Sequence, residues 1–187
     1  MIALFQAAAE IQAVCDSEHW RYFIGELAVL RWGEPRETVD VDLMIVTGFS
    51  DEARYIDVLA GRFEPRRADA KAFAQASRVL LLRAASGVGL DIALGGLPFE
   101  ESAVARSSLF RFPPYVPLRT CSAEDLIVFK AFADRAKDWT DVEGVVIRQA
   151  GRLDWSYIVD ELAPLAELKE SPEIVDKLER LRRSVDG

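Results

Sequence analysis

The sequence predicts an α+β chain, with strands and helices alternating over residues 1–118 and only helices over 119–187. Three observations predict it. Apolar runs of strand length recur at 22–24, 39–46, 78–84 and 90–94. The last two flank the turn Ser86-Gly87-Val88-Gly89, which reads as a hairpin. From Ser122 onward the apolar period becomes helical.

Taken in order, residues 3–16 form a helix with Leu4, Phe5, Ala8, Ile11, Gln12 and Cys15 on one stripe. Tyr22, Phe23 and Ile24 make a short strand, and Gly25 opens a turn into a helix over 26–32. Gly33, Glu34 and Pro35 break that helix. Residues 39–46 are a buried strand, apolar except for Asp40 and Asp42. Thr47-Gly48-Phe49-Ser50 turns the chain, and Ser50 is placed to cap a helix that ends near residue 60. A short helix is expected over 98–106. Pro113, Pro114 and Pro117 keep 109–118 extended, which sets the expected domain boundary at 118. Helices then cover 122–135, 138–150, 154–168 and 172–184. Ser122 with Asp125 is a variant of the capping box, and Ser171-Pro172 suits the start of the last helix.

The whole chain bounds the function. Its 187 residues suit one large domain or two small ones. Half are hydrophobic and 29% are charged, which excludes a disordered chain. No apolar run has the length of a membrane span. The apolar start lacks a basic leader and is interrupted by Gln6 and Glu10, so a cytoplasmic protein is expected. Cys15 and Cys121 make neither a disulfide framework nor a metal-binding spacing. The net charge of −8 disfavours a broad nucleic-acid footprint. A small phosphorylated ligand remains compatible, because a bound metal inverts the local sign.

The chemistry lies in the acidic residues. Side chains two apart on a strand share a face, so Asp40 and Asp42 present two carboxylates side by side. Asp91 sits in the later strand between Leu90 and Ile92. Charges inside apolar strands are costly unless paired, and carboxylates facing one another repel. Hard divalent cations such as Mg²⁺ take oxygen ligands and remove both problems. The competing reading is that each aspartate pairs with an arginine or points to solvent.

A hydrophobic residue, Gly25, a spacer and then Asp40-Val41-Asp42-Leu43 resemble the nucleotidyltransferase superfamily of the polymerase-beta type. Asp91 matches that superfamily's third carboxylate. Downstream, Lys130 followed by Arg135-Ala136-Lys137-Asp138 and Asp141 resembles the AbiEii/AbiGii-type nucleotidyltransferases of toxin–antitoxin systems, and Gly33-Glu34-Pro35-Arg36 fits the same group. The resemblance implies a nucleotidyltransferase-like mixed sheet flanked by helices, followed by a C-terminal helical bundle that closes the cleft. It implies a nucleoside triphosphate donor, two Mg²⁺ ions on Asp40, Asp42 and Asp91, and a catalytic role for those aspartates and Lys130. Gly25, Glu26, Arg36, Lys137 and Asp138 are the implied nucleotide contacts, the glycine turn letting backbone N–H groups approach the phosphates. The acceptor, whether RNA, protein or a small molecule, stays open, and a cognate antitoxin is an expected partner; no membrane is involved.

If one helix ran unbroken from residue 122 through 141, Lys130, Asp134, Lys137, Asp138 and Asp141 would form a mixed-charge stripe. That stripe either faces a ligand or is a solvated face, and Asp138 is alternatively the cap of a next helix. The chain departs from the superfamily at Glu26, where glycine or serine is usual. A carboxylate about 5 Å from a phosphate charge costs on the order of 3 kcal/mol at an effective dielectric near 20. That is roughly a hundredfold in affinity. A rival reading is therefore a non-catalytic interaction module or antitoxin partner that keeps the fold but binds nucleotide poorly. Arg62, Arg66, Arg67 and Lys71 read as a solvated basic cluster, His19 as a surface histidine, and Trp32, Trp139 and Trp155 as packing residues.

Overall fold

Strand alternation decides which side of the sheet is buried. The computed structural model describes residues 2–186. The chain divides into two compact units: one runs to Leu27 and resumes over Glu37–Cys121, and the other joins Ala28–Arg36 to the residues from Ser122 onward.

In chain order the elements up to the end of the first unit are α1 (Ile2–Ser17), β1 (Tyr22–Ile24), α2 (Glu26–Trp32), β2 (Asp40–Val46), α3 (Glu52–Arg62), β3 (Glu64–Pro65), α4 (Ala70–Ser77), β4 (Val79–Arg83), β5 (Gly89–Gly95), α5 (Pro98–Arg106), β6 (Ser108–Arg111) and β7 (Pro117–Thr120). α2 begins in the first unit and ends in the second. The main sheet has the order β1-β2-β5-β4-β3. β2 and β5 are parallel, and the other neighbouring pairs are antiparallel, so the sheet is mixed.

One face holds Val41, Leu43 and Ile45 of β2, Leu80 and Leu82 of β4, and Leu90, Ile92 and Leu94 of β5, each at most 2% exposed. Fully burying such a side chain contributes about 1.5–3 kcal/mol. The alternate positions form the opposite face, which carries Asp40, Asp42 and Asp91. β6 and β7 make a separate hairpin. Gln12, on the apolar stripe of α1, belongs there because its amide is satisfied by β7: Nε2 donates to Pro117 O (3.0 Å) and Oε1 accepts from Arg119 N–H (2.9 Å).

The second unit continues with α6 (Ala123–Ala133), α7 (Ala136–Arg148), α8 (Trp155–Leu168) and α9 (Glu173–Asp186). α6 is apolar nearly all round and is buried accordingly, with Leu126, Ile127, Val128 and Ala131 in the core. Ser122 caps it, its Oγ accepting from Asp125 N–H at 3.1 Å. The hydroxyl donates back to Asp125 Oδ2 (2.6 Å), and Tyr157 Oη donates to Oδ1 (2.7 Å), so this buried aspartate is satisfied. Residues 28–36 join this unit because they lie against α7. A Cβ on Gly144 would come 3.1 Å from Glu34 N, and Gln149 Nε2 donates to Trp32 O at 3.0 Å.

The mixed α/β layout with C-terminal helices agrees with the sequence reading, and two local points differ. Asp51 rather than Ser50 precedes α3, and Ser50 takes a positive φ of 88°. β3 and α4 have no counterpart in the sequence reading, being a two-residue strand and an eight-residue, alanine-rich helix. The expected separation of the helices over 122–135 and 138–150 is present: Asp134 turns left-handed (φ 57°) and ends α6, its Oδ1 accepting from Trp139 Nε1 (2.5 Å) and Lys177 Nζ (2.9 Å). Aspartate tolerates this conformation better than most residues. The indole hydrogen bond and then Lys177 hold its carboxyl below the usual aspartate range.

Candidate active site

The site in the first unit follows from register. Asp40 pairs with Gly89 and Asp42 with Asp91 across the parallel β2–β5 ladder. Paired residues share a face, so all three aspartates lie on the side of the sheet opposite the leucine-rich core. The row through Asp42 and Asp91 extends both ways. Gly25 N–H donates to Asp42 O (2.8 Å) on one side. On the other, Asp91 pairs with Leu81, whose O accepts Arg66 N–H at 3.1 Å.

Arg66 reaches back along this row, past Leu81, and its Nη2 donates to Asp91 Oδ1. The guanidinium also lies over Gly89: a Cβ there would run into Asp40 Oδ1 and come 2.7 Å from Arg66 Nη1. Glycine at 89 thus leaves the space in which one arginine and one aspartate carboxylate sit together. The Asp91 side chain is 38% exposed and that of Arg66 22%. Among the described residues, no group of three His, Cys, Asp or Glu side chains is gathered closely enough to hold a metal ion as it stands. The donor chemistry still fits a hard divalent cation: three carboxylates on neighbouring positions of one face, with no soft ligand among them.

Gly25 is not required by its protein neighbours. A Cβ there would make ordinary contacts, 3.8 Å to Asp42 O and 3.9 Å to the Phe23 ring, and its φ is not positive. The open space beside Asp42 therefore has no packing reason within the chain, whereas close approach of a ligand is a common reason for glycine. Its own N–H is already taken by Asp42 O. Glu26, the first residue of α2, is buried at 7% exposure.

The other sequence-predicted residues lie in the second unit, where most of them meet. Lys130 Nζ is 2.8 Å from Asp141 Oδ2 and 3.4 Å from Asp138 Oδ1. Arg36 grips Asp141 through Nε (2.8 Å) and Nη2 (3.0 Å), a fork geometry suited to a carboxylate. Arg135 Nε donates to Asp138 Oδ2 (2.5 Å). Asp138 is in the first turn of α7, fully buried, and Lys130 and Asp141 are 8% and 3% exposed. Burial opposes the charge on Asp141, but the hydrogen bonds from Arg36 and Lys130 outweigh it and hold its carboxyl below the usual range. The expected continuous stripe is thus replaced by a compact network. Asp134 has become a helix cap, and Lys137 points to solvent on α7.

Arg66 is the residue that sequence reasoning misplaced. Of its supposed solvated cluster, Arg67 pairs with Asp69 and Lys71 with Asp57 at the surface, while Arg66 alone turns to the aspartates. A two-residue strand gives no periodic signal by which to see this.

The fold is that of nucleotidyltransferase-like proteins. The chain is similar to the crystal structure of an antigenic nucleotidyltransferase-like protein from Paracoccidioides brasiliensis, with a TM-score of 0.54 and 17% identity over 96% of this chain and 93% of that one. It also matches the solution structure of the antibiotic-resistance factor ANT(2'')-Ia, with a TM-score of 0.43 and 18% identity over 96% and 91% of the two chains. No protein-family profile matches the chain, and no curated protein sequence does.

Proposed function

We propose that this protein is a metal-dependent nucleotidyltransferase that moves a nucleoside monophosphate from a nucleoside triphosphate to an acceptor hydroxyl. The observation that supports it best is the in-register placement of Asp40, Asp42 and Asp91 on one face of β2 and β5, beside a glycine with no packing reason to be one. Asp40 and Asp42, joined by Asp91, are the residues that would hold Mg²⁺. Bound there, the metal would supply charge stabilisation for the phosphoryl oxygens.

The chain's own groups fill the remaining roles. Asp91, next to Asp42, takes the proton of the acceptor hydroxyl. The acceptor oxygen bonds to the α-phosphorus as the bond to the bridging oxygen breaks, and pyrophosphate leaves. Gly25 keeps the approach to Asp42 open. In the second unit, Lys137 is exposed and Lys130, Arg36 and Asp138 belong to a buried charge network around Asp141; their assignment to the nucleotide rests on the AbiEii/AbiGii resemblance. A toxin–antitoxin setting, a cognate antitoxin and a cytoplasmic location are part of the same proposal and rest on the AbiEii/AbiGii resemblance and the composition.

The rival module with impaired nucleotide binding is favoured by one observation, the buried carboxylate of Glu26 beside Gly25. Calorimetric titration of each nucleoside triphosphate, with and without Mg²⁺, separates the two. The enzyme reading expects Mg²⁺-dependent binding that is lost in Asp40→Ala/Asp42→Ala and changed little by Glu26→Gly. Binding that appears only in Glu26→Gly establishes the rival, and a double aspartate variant that binds as the wild type overturns the proposed site.

A further inference from the structure

We infer that Arg66 is a built-in counter-ion that holds Asp91 and must give it up before a divalent cation can use that carboxylate. The inference rests on the metal reading of the aspartate site and adds a control to it.

Four observations meet at this side chain. Its backbone is fixed as an extension of β3, by the hydrogen bond from its N–H to Leu81 O (3.1 Å). From there the guanidinium spans the row and bonds Asp91 Oδ1. It lies over Gly89, where Asp40 Oδ1 also lies, so one cation touches the third carboxylate and borders the first. And its buried Nε–H has no hydrogen-bond partner.

The orphan donor, taken with the approach to two carboxylates, sets this pair apart from the fork of Arg36 on Asp141. An arginine that had settled for good would be expected to place a buried donor on an acceptor; Arg36 spends its Nε and Nη2 on Asp141. Arg66 instead leaves one donor unused while neutralising Asp91. The electrostatics give the reason. Three carboxylates on adjacent positions repel, and a single guanidinium offsets part of that repulsion in the metal-free protein. A divalent cation brings twice the charge to the same oxygens. It repels the guanidinium and competes with it for Asp91, so that each must weaken the other's hold. Displaced from Asp91, Arg66 retains a full fork of donors beside the metal site, the geometry that suits a phosphate group.

The experiment is Mn²⁺ titration of the full chain without nucleotide, followed by calorimetry and by the electron paramagnetic resonance of the free ion. It uses wild type, Arg66→Ala, Arg66→Gln, Asp91→Asn and Arg66→Ala/Asp91→Asn, with thermal melts to show that each is folded. The glutamine variant keeps most of the side-chain packing without the charge. Removal of the arginine is expected to tighten Mn²⁺ binding tenfold or more, in both the alanine and the glutamine variants. In the Asp91→Asn background the same removal should tighten binding by a factor at least threefold smaller, because only the repulsion beside Asp40 is left to relieve. Equal or weaker Mn²⁺ binding on removing Arg66 from a wild type that binds the ion overturns the inference and leaves the metal site standing. Absence of Mn²⁺ binding from every folded variant overturns the metal site itself. Binding that appears only when Arg66 is removed supports the inference in its strongest form.

Discussion

Replacing Lys130 with methionine separates a structural role from a ligand role for the second unit's charge network. The ammonium contacts Asp141 at 2.8 Å and Asp138 at 3.4 Å, and its side chain is 10% exposed. At an effective dielectric near 20, each contact is worth roughly 5 kcal/mol of Coulomb energy before desolvation is subtracted. Methionine fills a similar volume but leaves two buried carboxylates to Arg36 and Arg135 alone. Breaking a buried pair in this way costs about 3–5 kcal/mol. For a chain of this size each kcal/mol lowers the melting temperature by about 2–4 °C, so Lys130→Met should melt about 6–20 °C below wild type. The assay is thermal denaturation followed by circular dichroism. Asp141→Asn, alone and combined with Lys130→Met, closes a double-mutant cycle whose coupling should be about 1–3 kcal/mol. A fall of less than about 3 °C, with loss of nucleotide binding, would refute the structural assignment and return the ammonium to the ligand.

Two further predictions follow from the same geometry. Gly25→Ala meets only ordinary contacts at 3.8–4.0 Å, so its stability in urea should change by no more than about 1 kcal/mol while nucleotide affinity falls at least tenfold; unchanged affinity would leave the open space without a ligand role. The depressed carboxyls of Asp141 and Asp134 contribute stability that is complete above the ordinary aspartate value of 3.8 and lost as pH falls through their lower folded values, so acid unfolding should begin below about pH 4. Asp141→Asn should flatten that acid limb in denaturation curves taken between neutral pH and pH 2, and an identical limb would remove Asp141 from the account.

Strands and helices with strong periodicity were legible in the sequence. Residues 22–24, 26–32 and 98–106 coincide with their elements because glycine, proline and apolar spacing mark both ends. The aspartates of β2 were legible because alternation fixes them on one face without knowledge of the fold. Asp138 and Asp141 were visible as a charge pattern and as part of a motif resemblance, but not as a buried network. The break between the two helices was legible, but the left-handed turn at Asp134 that makes it, supported by Trp139 and Lys177, was not. Arg66 was not legible, because what distinguishes it from Arg67 is pairing across three strands, a property of the sheet rather than of the local sequence.

The site's geometry is inherited from the core, which is why so few chemical residues suffice to specify it. Asp42 and Asp91 lie far apart in the chain, and nothing in either segment names the other as its neighbour. Leu90, Ile92 and Leu94 are buried on the same face as Val41, Leu43 and Ile45. Slipping β5 by one residue against β2 would move its leucines and isoleucine to the polar face and drive Asp91 into the apolar layer. The first change forfeits about 1.5–3 kcal/mol per side chain, and the second buries a carboxylate without a partner, so the pairing that places Asp91 beside Asp42 is enforced from the side of the sheet that does no chemistry. On the polar side, a side chain at Gly89 would have to displace the Asp40 carboxylate and the Arg66 guanidinium. Substitutions in the apolar layer should therefore disturb metal binding through register, whereas substitutions at Arg66 should change it with register intact. Resistance to proteolysis measured beside Mn²⁺ affinity tells these two causes apart.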